Sequence, residues 1–202
     1  MRDFYESVWQ ALPEDPEPWA WPRRRALLLA EVRRGERVLD LGCGAGRFVA
    51  ALRAAGADAV GVELAEAALE RARRNVAGAD LRLLEPDGSL PLDHGDVDLV
   101  WCSEVLEHVP DTAALLTEVR RVLKRGGRLL VTVPDHGRLR RTLIALARHD
   151  AHYDPLGQHV RFYTRRSLAR TLRASGFAGV AIKPLGGPPL LRQTLVARAL
   201  RA

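Results

Sequence analysis

Arg37-Val-Leu-Asp-Leu-Gly42-Cys-Gly44-Ala-Gly46-Arg-Phe-Val49 reads as a strand, a tight loop and the opening of a helix. Val38 to Leu41 is a short apolar run, and three glycines follow on alternate positions. Phe48, Val49 and Leu52 then recur at helical spacing. Glycine carries no Cβ, so such a loop lets a ligand approach the backbone. The helix start adds unpaired N–H groups and the positive end of a dipole. The register narrows the ligand. A dinucleotide fingerprint needs G-x-G-x-x-G, whereas here Gly42-x-Gly44-x-Gly46 is followed directly by Arg47. The G-K-[ST] of a phosphate-cradling loop is absent as well. A pyrophosphate is therefore disfavoured, and a smaller nucleoside still fits.

Downstream, strand and helix patterns alternate. The first strand, Arg37–Leu41, leads to a helix over about 46–55 that Gly56 closes. A second strand over 57–62 precedes a helix with Ala65, Ala68, Leu69, Ala72 and Val76 on one face. The third strand is expected over 81–84, followed by a Gly/Pro/Asp-rich loop, and the fourth over 97–102. Asp111 reads as an N-cap for a helix presenting Leu115, Leu116, Val119, Val122 and Leu123. Gly126-Gly127 is expected to end that helix, with the fifth strand over 129–133. Apolar strands alternating with helices predict an α/β fold, a doubly wound parallel sheet covered on both faces. After a helix over 164–175, two strands over 179–183 and 194–199 are joined by a short Gly/Pro loop, so they must be antiparallel.

Two segments lie outside this rhythm. Residues 1–34 read as an N-terminal helical segment interrupted by Pro13, Pro16, Pro18 and Pro22, with a second helix over 23–32. It gathers Tyr5, Trp9, Trp19 and Trp21, and is a candidate lid. Residues 135–163 form a long connection with a basic helix expected over 138–148 and four of the six histidines. That insertion is expected to shape an acceptor site within one domain spanning 1–202. At 202 residues and 47% hydrophobic content, one core is expected. There is no apolar run near membrane-span length and no signal-peptide pattern, so a cytoplasmic location is expected. Cys43 and Cys102 give neither a disulfide framework nor zinc spacing. The net charge of +6 comes from arginine spread along the chain, which disfavours a nucleic-acid partner.

Several strand ends carry polar groups. Asp40 ends the first strand beneath the glycine loop, and Glu63 stands just past the second, where a carboxylate can accept ribose hydroxyls. Asp87 and Gly88 follow the third. These ends converge where open α/β sheets bind ligands. As a set the motifs resemble the class I S-adenosylmethionine-dependent methyltransferases, in particular the small-molecule branch with ubiquinone-type O-methyltransferases. Val38-Leu-Asp-Leu-Gly-Cys-Gly-Ala-Gly46 is similar to the family's first motif, Glu63 to its ribose-binding acid, and Asp87-Gly-Ser-Leu-Pro91 to its adenine-contacting stretch. Asp98-Leu-Val-Trp-Cys-Ser-Glu-Val-Leu-Glu-His-Val109 resembles its strand-four motif, and Leu123-Lys-Arg-Gly-Gly127 the turn before strand five. Glu63 stands where Asp is commoner, and Glu85-Pro-Asp87 departs from the usual adenine approach. The resemblance implies a Rossmann-like seven-stranded sheet, mostly parallel with an antiparallel last strand. It also implies S-adenosyl-L-methionine as cofactor. Asp40, Gly42, Cys43, Gly44 and Gly46 would hold its methionine and ribose portions. Glu63 would take the ribose hydroxyls, Leu64 would pack near the adenine, and Asp87 and Gly88 would meet the adenine edge. Ser103 and Glu104 would lie near the methyl group.

Methyl transfer needs a base only where the nucleophile must lose a proton. His108 is the candidate catalytic residue, because a neutral imidazole suits that task near neutral pH. His136, His152, Tyr153, His159 and Tyr163 are rivals. His149, His152, Asp154 and His159 fit no zinc spacing, so no metal is expected. Cys102-Ser-Glu-Val replaces the Asn/Asp-Pro-Pro-aromatic motif of enzymes that methylate adenine or glutamine nitrogen. The expected partner is therefore a small-molecule acceptor, methylated on a hydroxyl oxygen. The basic helix leaves room for an acidic substrate or a peripheral membrane contact. The competing readings are a non-catalytic S-adenosylmethionine-binding module, an NAD-dependent dehydrogenase and an RNA methyltransferase.

Overall fold

The computed structural model describes residues 2–14, 16–85, 87–135, 137, 142, 144, 146, 158–186 and 194–202. Seven strands form one sheet: β1 (Arg37–Leu41), β2 (Asp58–Glu63), β3 (Asp80–Leu83), β4 (Val97–Ser103), β5 (Leu123–Pro134), β6 (Phe177–Leu185) and β7 (Thr194–Arg201). Their order is β3-β2-β1-β4-β5-β7-β6. β1 to β5 pair in parallel, and β7 runs antiparallel to both β5 and β6. The order reverses at β1, which has β2 on one side and β4 on the other. That switch point opens a crevice beyond the carboxyl ends of β1 and β4.

Alternation along each strand divides the core in two. Leu39, Leu41, Val100, Cys102, Leu129 and Val131 face the helices α5 (Thr112–Val122) and α6 (Arg165–Ala174), meeting Leu116, Val119, Leu168 and Leu172. Val38, Leu99, Trp101 and Leu130 face the other way, toward α2 (Trp21–Leu29), α3 (Arg47–Ala54) and α4 (Glu66–Asn75), meeting Leu28, Phe48, Leu52 and Leu69. The period-two pleat places Asp40 on this second face, two residues from Val38 and opposite Trp101 in register.

The helix ends show why the elements stop where they do. Asp111 caps α5, its Oδ1 accepting from Ala114 N at 2.9 Å. Thr164 and Ser167 close a capping box on α6, each side chain bonded to the other's backbone N–H. α4 has no cap of its own. Glu6, from the N-terminal helix α1 (Arg2–Ala11), supplies one by accepting from Glu66 N and from Ala67 N at 3.0 Å. α2 starts two residues before expectation, at Trp21, because Pro22 fits a first helical turn. The larger correction is β5, which begins at Leu123 rather than in the region of Leu129. Leu123 pairs with Val97, the chain bulges through Gly126 (φ +73°), and pairing resumes at Leu99–Arg128. Burial of Leu123 between strand and helix sets that start, a partnership no local pattern announces. Most of the basic helix expected over 138–148 lies outside the described residues.

Candidate functional site

The glycine loop is wrapped around Glu63. Gly42 and Cys43 both donate to the Val62 carbonyl, at 2.8 and 3.1 Å. Gly44 N donates to Glu63 Oε2 at 3.0 Å, while Leu64 N and Ala65 N donate to Oε1 at 2.6 and 3.3 Å. Burial nevertheless raises the Glu63 pKa, against the pull of these N–H groups. A carboxylate offers about four acceptor positions. Three are taken, so Glu63 has room for one further donor, not for two. Gly42 and Gly44 have φ of +74° and +51°. A Cβ on Gly42 would lie 2.5 Å from Val105 Cγ2, and one on Gly44 2.8 Å from the tip of the Trp9 ring. Thus α1 lies across the loop, as a lid would, and no residue of α1 is buried.

Cys43 turns its side chain away from the crevice. Its thiol packs into the core with Val49 and Leu69, its N–H is spent on Val62, and its carbonyl accepts from Gly46 N. It offers the crevice neither a sulfur nor an unspent amide. Leu64 is partly exposed at the mouth of α4. Asp87 and Gly88 are exposed, and Asp87 folds onto its own loop, accepting from Ser89 N at 2.9 Å and Ser89 Oγ at 2.7 Å. Those bonds lower the Asp87 pKa. The structure does not turn its side chain to the crevice, because a short Asx turn satisfies it locally.

Deeper in, a buried polar chain links α2, β4 and β5. Arg24 from α2 is buried and donates through Nε to Ser103 Oγ at 2.9 Å, through Nη2 to the same oxygen, and through Nη1 to Trp19 O at 3.0 Å. Its guanidinium also sits 5.5 Å from the centre of the Phe48 ring. With Ser103 Oγ accepting from Arg24, its hydroxyl is left to donate to Thr132 Oγ1 at 2.7 Å, and Thr132 donates to Glu104 Oε1 at 2.9 Å. Glu104 holds φ +56°, a conformation uncommon outside glycine. The sequence reading missed Arg24. Its signal was present: Arg24 and Leu28 are four apart and share the buried face of α2.

Asp40 is buried, and among the described residues its Oδ2 has no hydrogen-bond partner. Burial, then the charge of Glu63, push its pKa from 3.8 to about 8, against Arg24. Between those values the unfolded chain has released a proton that the folded protein keeps, so unfolding sheds a proton and stability falls as pH rises, by up to about 1.4 kcal/mol per pH unit. Asp40→Asn is therefore expected to raise the melting temperature of the ligand-free protein at pH 8 by about 2–4 °C or more. The gain should vanish below pH 4. Thermal melts across that range check this, and an unchanged pH slope would show that Asp40 holds no such proton.

After β4 the chain makes a 3-10 turn, Leu106–His108. His108 Nδ1 lies 3.0 Å from Gln158 O. A carbonyl only accepts, so Nδ1 carries the hydrogen and Nε2 keeps its lone pair. Nε2 is 3.8 Å from Glu107 Oε1. Burial lowers the His108 pKa, partly offset by the Gln158 bond and reinforced by His159. Glu107 is 2% exposed, and its carboxyl meets that of Glu104. Burial first, then the Glu104 charge, raise its pKa, and burial raises that of Glu104 too. Tyr5 of α1 and His159 stand edge-on to the His108 ring, at 5.8 and 4.8 Å between centres. Tyr163 is occupied at the start of α5, 3.2 Å from Thr112 Oγ1. His136, His149, His152, Tyr153 and Asp154 lie outside the described residues.

The crevice fits the cofactor implied by the sequence. An unpartnered buried Asp40 oxygen suits a cationic group, the glycine loop admits a ligand against its backbone, and Glu63 has one acceptor position for a hydroxyl. Comparison with known proteins agrees. A methyltransferase-domain family model matches residues 16–182. A "Ubiquinone biosynthesis O-methyltransferase" of Methylococcus capsulatus is 30% identical over 79% of this chain and 70% of its own length. A "Demethylmenaquinone methyltransferase" of Clavibacter sepedonicus is 35% identical over 72% of this chain and 67% of its own. Among solved structures, an S-adenosylmethionine-dependent methyltransferase from Mesorhizobium loti superposes with a TM-score of 0.67 at 25% identity, covering 90% of this chain and 97% of that one. A Haemonchus contortus phosphoethanolamine N-methyltransferase bound to S-adenosylmethionine superposes with a TM-score of 0.73, covering 98% of this chain and 56% of that one. At 16% identity that likeness shows the fold alone.

Proposed function

The chain belongs to the class I S-adenosylmethionine-dependent methyltransferases, and on that premise we propose that its acceptor is a small molecule methylated on a hydroxyl oxygen. S-adenosylmethionine supplies a methyl group on a positively charged sulfur, which keeps the bonding electron pair when the acceptor takes the methyl. The residues of this chain do the rest. Asp40 and the loop Gly42–Gly46 hold the methionine and ribose portions, and Glu63 accepts one ribose hydroxyl. Leu64 flanks the adenine. Ser103 and Glu104, fixed by Arg24 and Thr132, border the transferred methyl. Asp87 and Gly88 take no part while Asp87 stays on Ser89. α1 closes the cofactor side, and residues 158–163 wall the acceptor side, where Val160 N and Arg161 N both bond Glu107 O. Positioning of this kind contributes about 7–11 kcal/mol in well-oriented reactions.

The observation that carries the oxygen assignment is His108. Its Nδ1 is tied to Gln158 O, and Nε2 is thereby presented as an acceptor beside the end of β4. A hydroxyl must shed its proton as it is methylated, and a neutral imidazole can take it. The names carried by the relatives support the same chemistry. His108→Ala is expected to lower turnover about 100- to 10,000-fold, the usual worth of a positioned base, with cofactor affinity within twofold of wild type. Turnover that survives removes the base. The acceptor class is tested by incubating the enzyme with methyl-labelled cofactor and a panel of catechols, phenols and amines. Label in aryl methyl ethers supports the reading, and label confined to amines contradicts it.

A further inference from the structure

We propose that a groove beside the glycine loop, between α2, α3 and the end of α4, is a second binding site, and that it takes a small ligand carrying a flat ring and an anionic group. It is independent of the methyl acceptor's identity. The groove measures about 470 Å³, the size of a small-molecule site. Its floor is made of small side chains, Ala45 from the loop and Ala50 from α3. None of Asp40, Glu63, Ser103 and Glu104 lines it, so it is distinct from the cofactor crevice. The two meet only at the loop. Gly44 N is bonded to Glu63 on the crevice side, while the carbonyl of Ala45 accepts from Asn75 Nδ2 at 3.1 Å, at the end of α4.

The lining supplies the chemistry. Trp21 and Arg25 stand one turn apart on α2 and so share a face. The Trp21 ring packs against Phe48, 4.8 Å between centres, and the Arg47 guanidinium lies 5.9 Å from its own centre. A half-buried indole fixed in this way is a stacking wall for a flat ring. Arg25 is exposed, and among the described residues its side chain has no hydrogen bond or ion pair. The arginines around it are committed: Arg24 to Ser103, Arg53 to Ala77 O, Arg71 to Leu12 O and Arg74 to Glu14. Arg47 reaches the Glu17 carboxylate only at 3.9 Å, and Glu17 is largely exposed. Such a pair contributes little, so an incoming anion can compete for that guanidinium.

Two guanidiniums flanking an aromatic wall suit a phosphate or a carboxylate, which a guanidinium grips through two parallel N–H groups. Asn75 spends one N–H on Ala45 O and keeps Oδ1 to accept from a ring amine or hydroxyl. Nucleoside phosphates and aryl carboxylates share the chemistry that this lining recognises, a flat ring with one anionic end.

The test uses 15N-labelled protein saturated with S-adenosylhomocysteine, which keeps nucleosides out of the crevice. Adenosine 5′-phosphate and benzoate are titrated in and followed by NMR, with adenosine and inorganic phosphate as the separate halves of the first. At least one ring anion is expected to shift the Ala45 amide and the Asn75 side-chain amide and to saturate, at least tenfold more tightly than adenosine or phosphate. Saturation by adenosine 5′-phosphate assigns the site to nucleotides, and saturation by benzoate assigns it to aryl carboxylates. Arg25→Glu, at an exposed position, is expected to keep the wild-type melting temperature and to weaken that binding about tenfold or more, the usual worth of a hydrogen bond to a charged group. Saturation by neither ring anion, inorganic phosphate binding as tightly as adenosine 5′-phosphate, or an Arg25→Glu affinity within twofold of wild type overturns the proposal. Wild type that fails to bind S-adenosylhomocysteine would strike the cofactor reading alone, since Asn75 and Arg25→Glu still report on the groove.

Discussion

Glu63→Ala is expected to weaken S-adenosylmethionine binding roughly a hundredfold. The carboxylate does two things at once. It anchors the glycine loop through Gly44 N and the start of α4 through Leu64 N and Ala65 N. It also has one acceptor position left for a ribose hydroxyl. A hydrogen bond to a charged group contributes about 1.5–3 kcal/mol, and a loosened loop adds an ordering cost on binding. A total near 3 kcal/mol corresponds to about two orders of magnitude in affinity. Glu63→Gln keeps one acceptor oxygen and the side-chain volume, so its loss should be nearer tenfold. Calorimetry measures both. Affinity of the alanine variant within threefold of wild type would show that the ribose is held elsewhere.

Gly44→Val should abolish measurable cofactor binding and also lower stability. Two separable causes act. Gly44 has φ +51°, where a β-branched residue is strained by about 1–2 kcal/mol. Its new Cβ would meet the Trp9 ring at 2.8 and 2.9 Å, pushing α1 off the loop. Trp9 itself rests 5.8 Å from the Arg71 guanidinium, which in turn donates to Leu12 O and Pro13 O, so displacing the ring loosens the whole strap. Adding Trp9→Ala to Gly44→Val removes the collision and leaves the backbone strain. The double variant is thus expected to regain part of the lost melting temperature while still binding cofactor poorly. A double variant no more stable than the single one would mean that α1 does not bear on this loop.

What was legible in the sequence follows from how local each signal is. Val38 to Gly46 is a strand and a loop within nine consecutive positions, and Glu63 closes the next strand, so both could be read without the fold. The antiparallel β6–β7 pair was likewise fixed by a short connection. β5 was misplaced at its start because Leu123 is held by Val97, a partner far along the chain. Arg24 was hidden because its burial depends on where α2 docks, although its spacing from Leu28 carried a hint. Glu107 was quoted within the strand-four motif without a role, since its burial against Glu104 is visible only in three dimensions. Cys43 and Asp87 differ in the opposite sense. Their positions in loops pointed at the cofactor, yet the thiol turns into the core and the carboxylate onto Ser89.

The central claim is that the crevice at the ends of β1, β2 and β4 holds S-adenosylmethionine on Asp40, the glycine loop and Glu63. Titration calorimetry of the wild-type protein with S-adenosylmethionine, repeated at pH 7 in two buffers of different ionisation enthalpy, tests it most directly. The account predicts one site per chain. It also predicts heats that differ between the buffers, because a cation entering beside the protonated Asp40 drives its proton off. No binding at high micromolar cofactor, or binding with heats indifferent to the buffer, would contradict it.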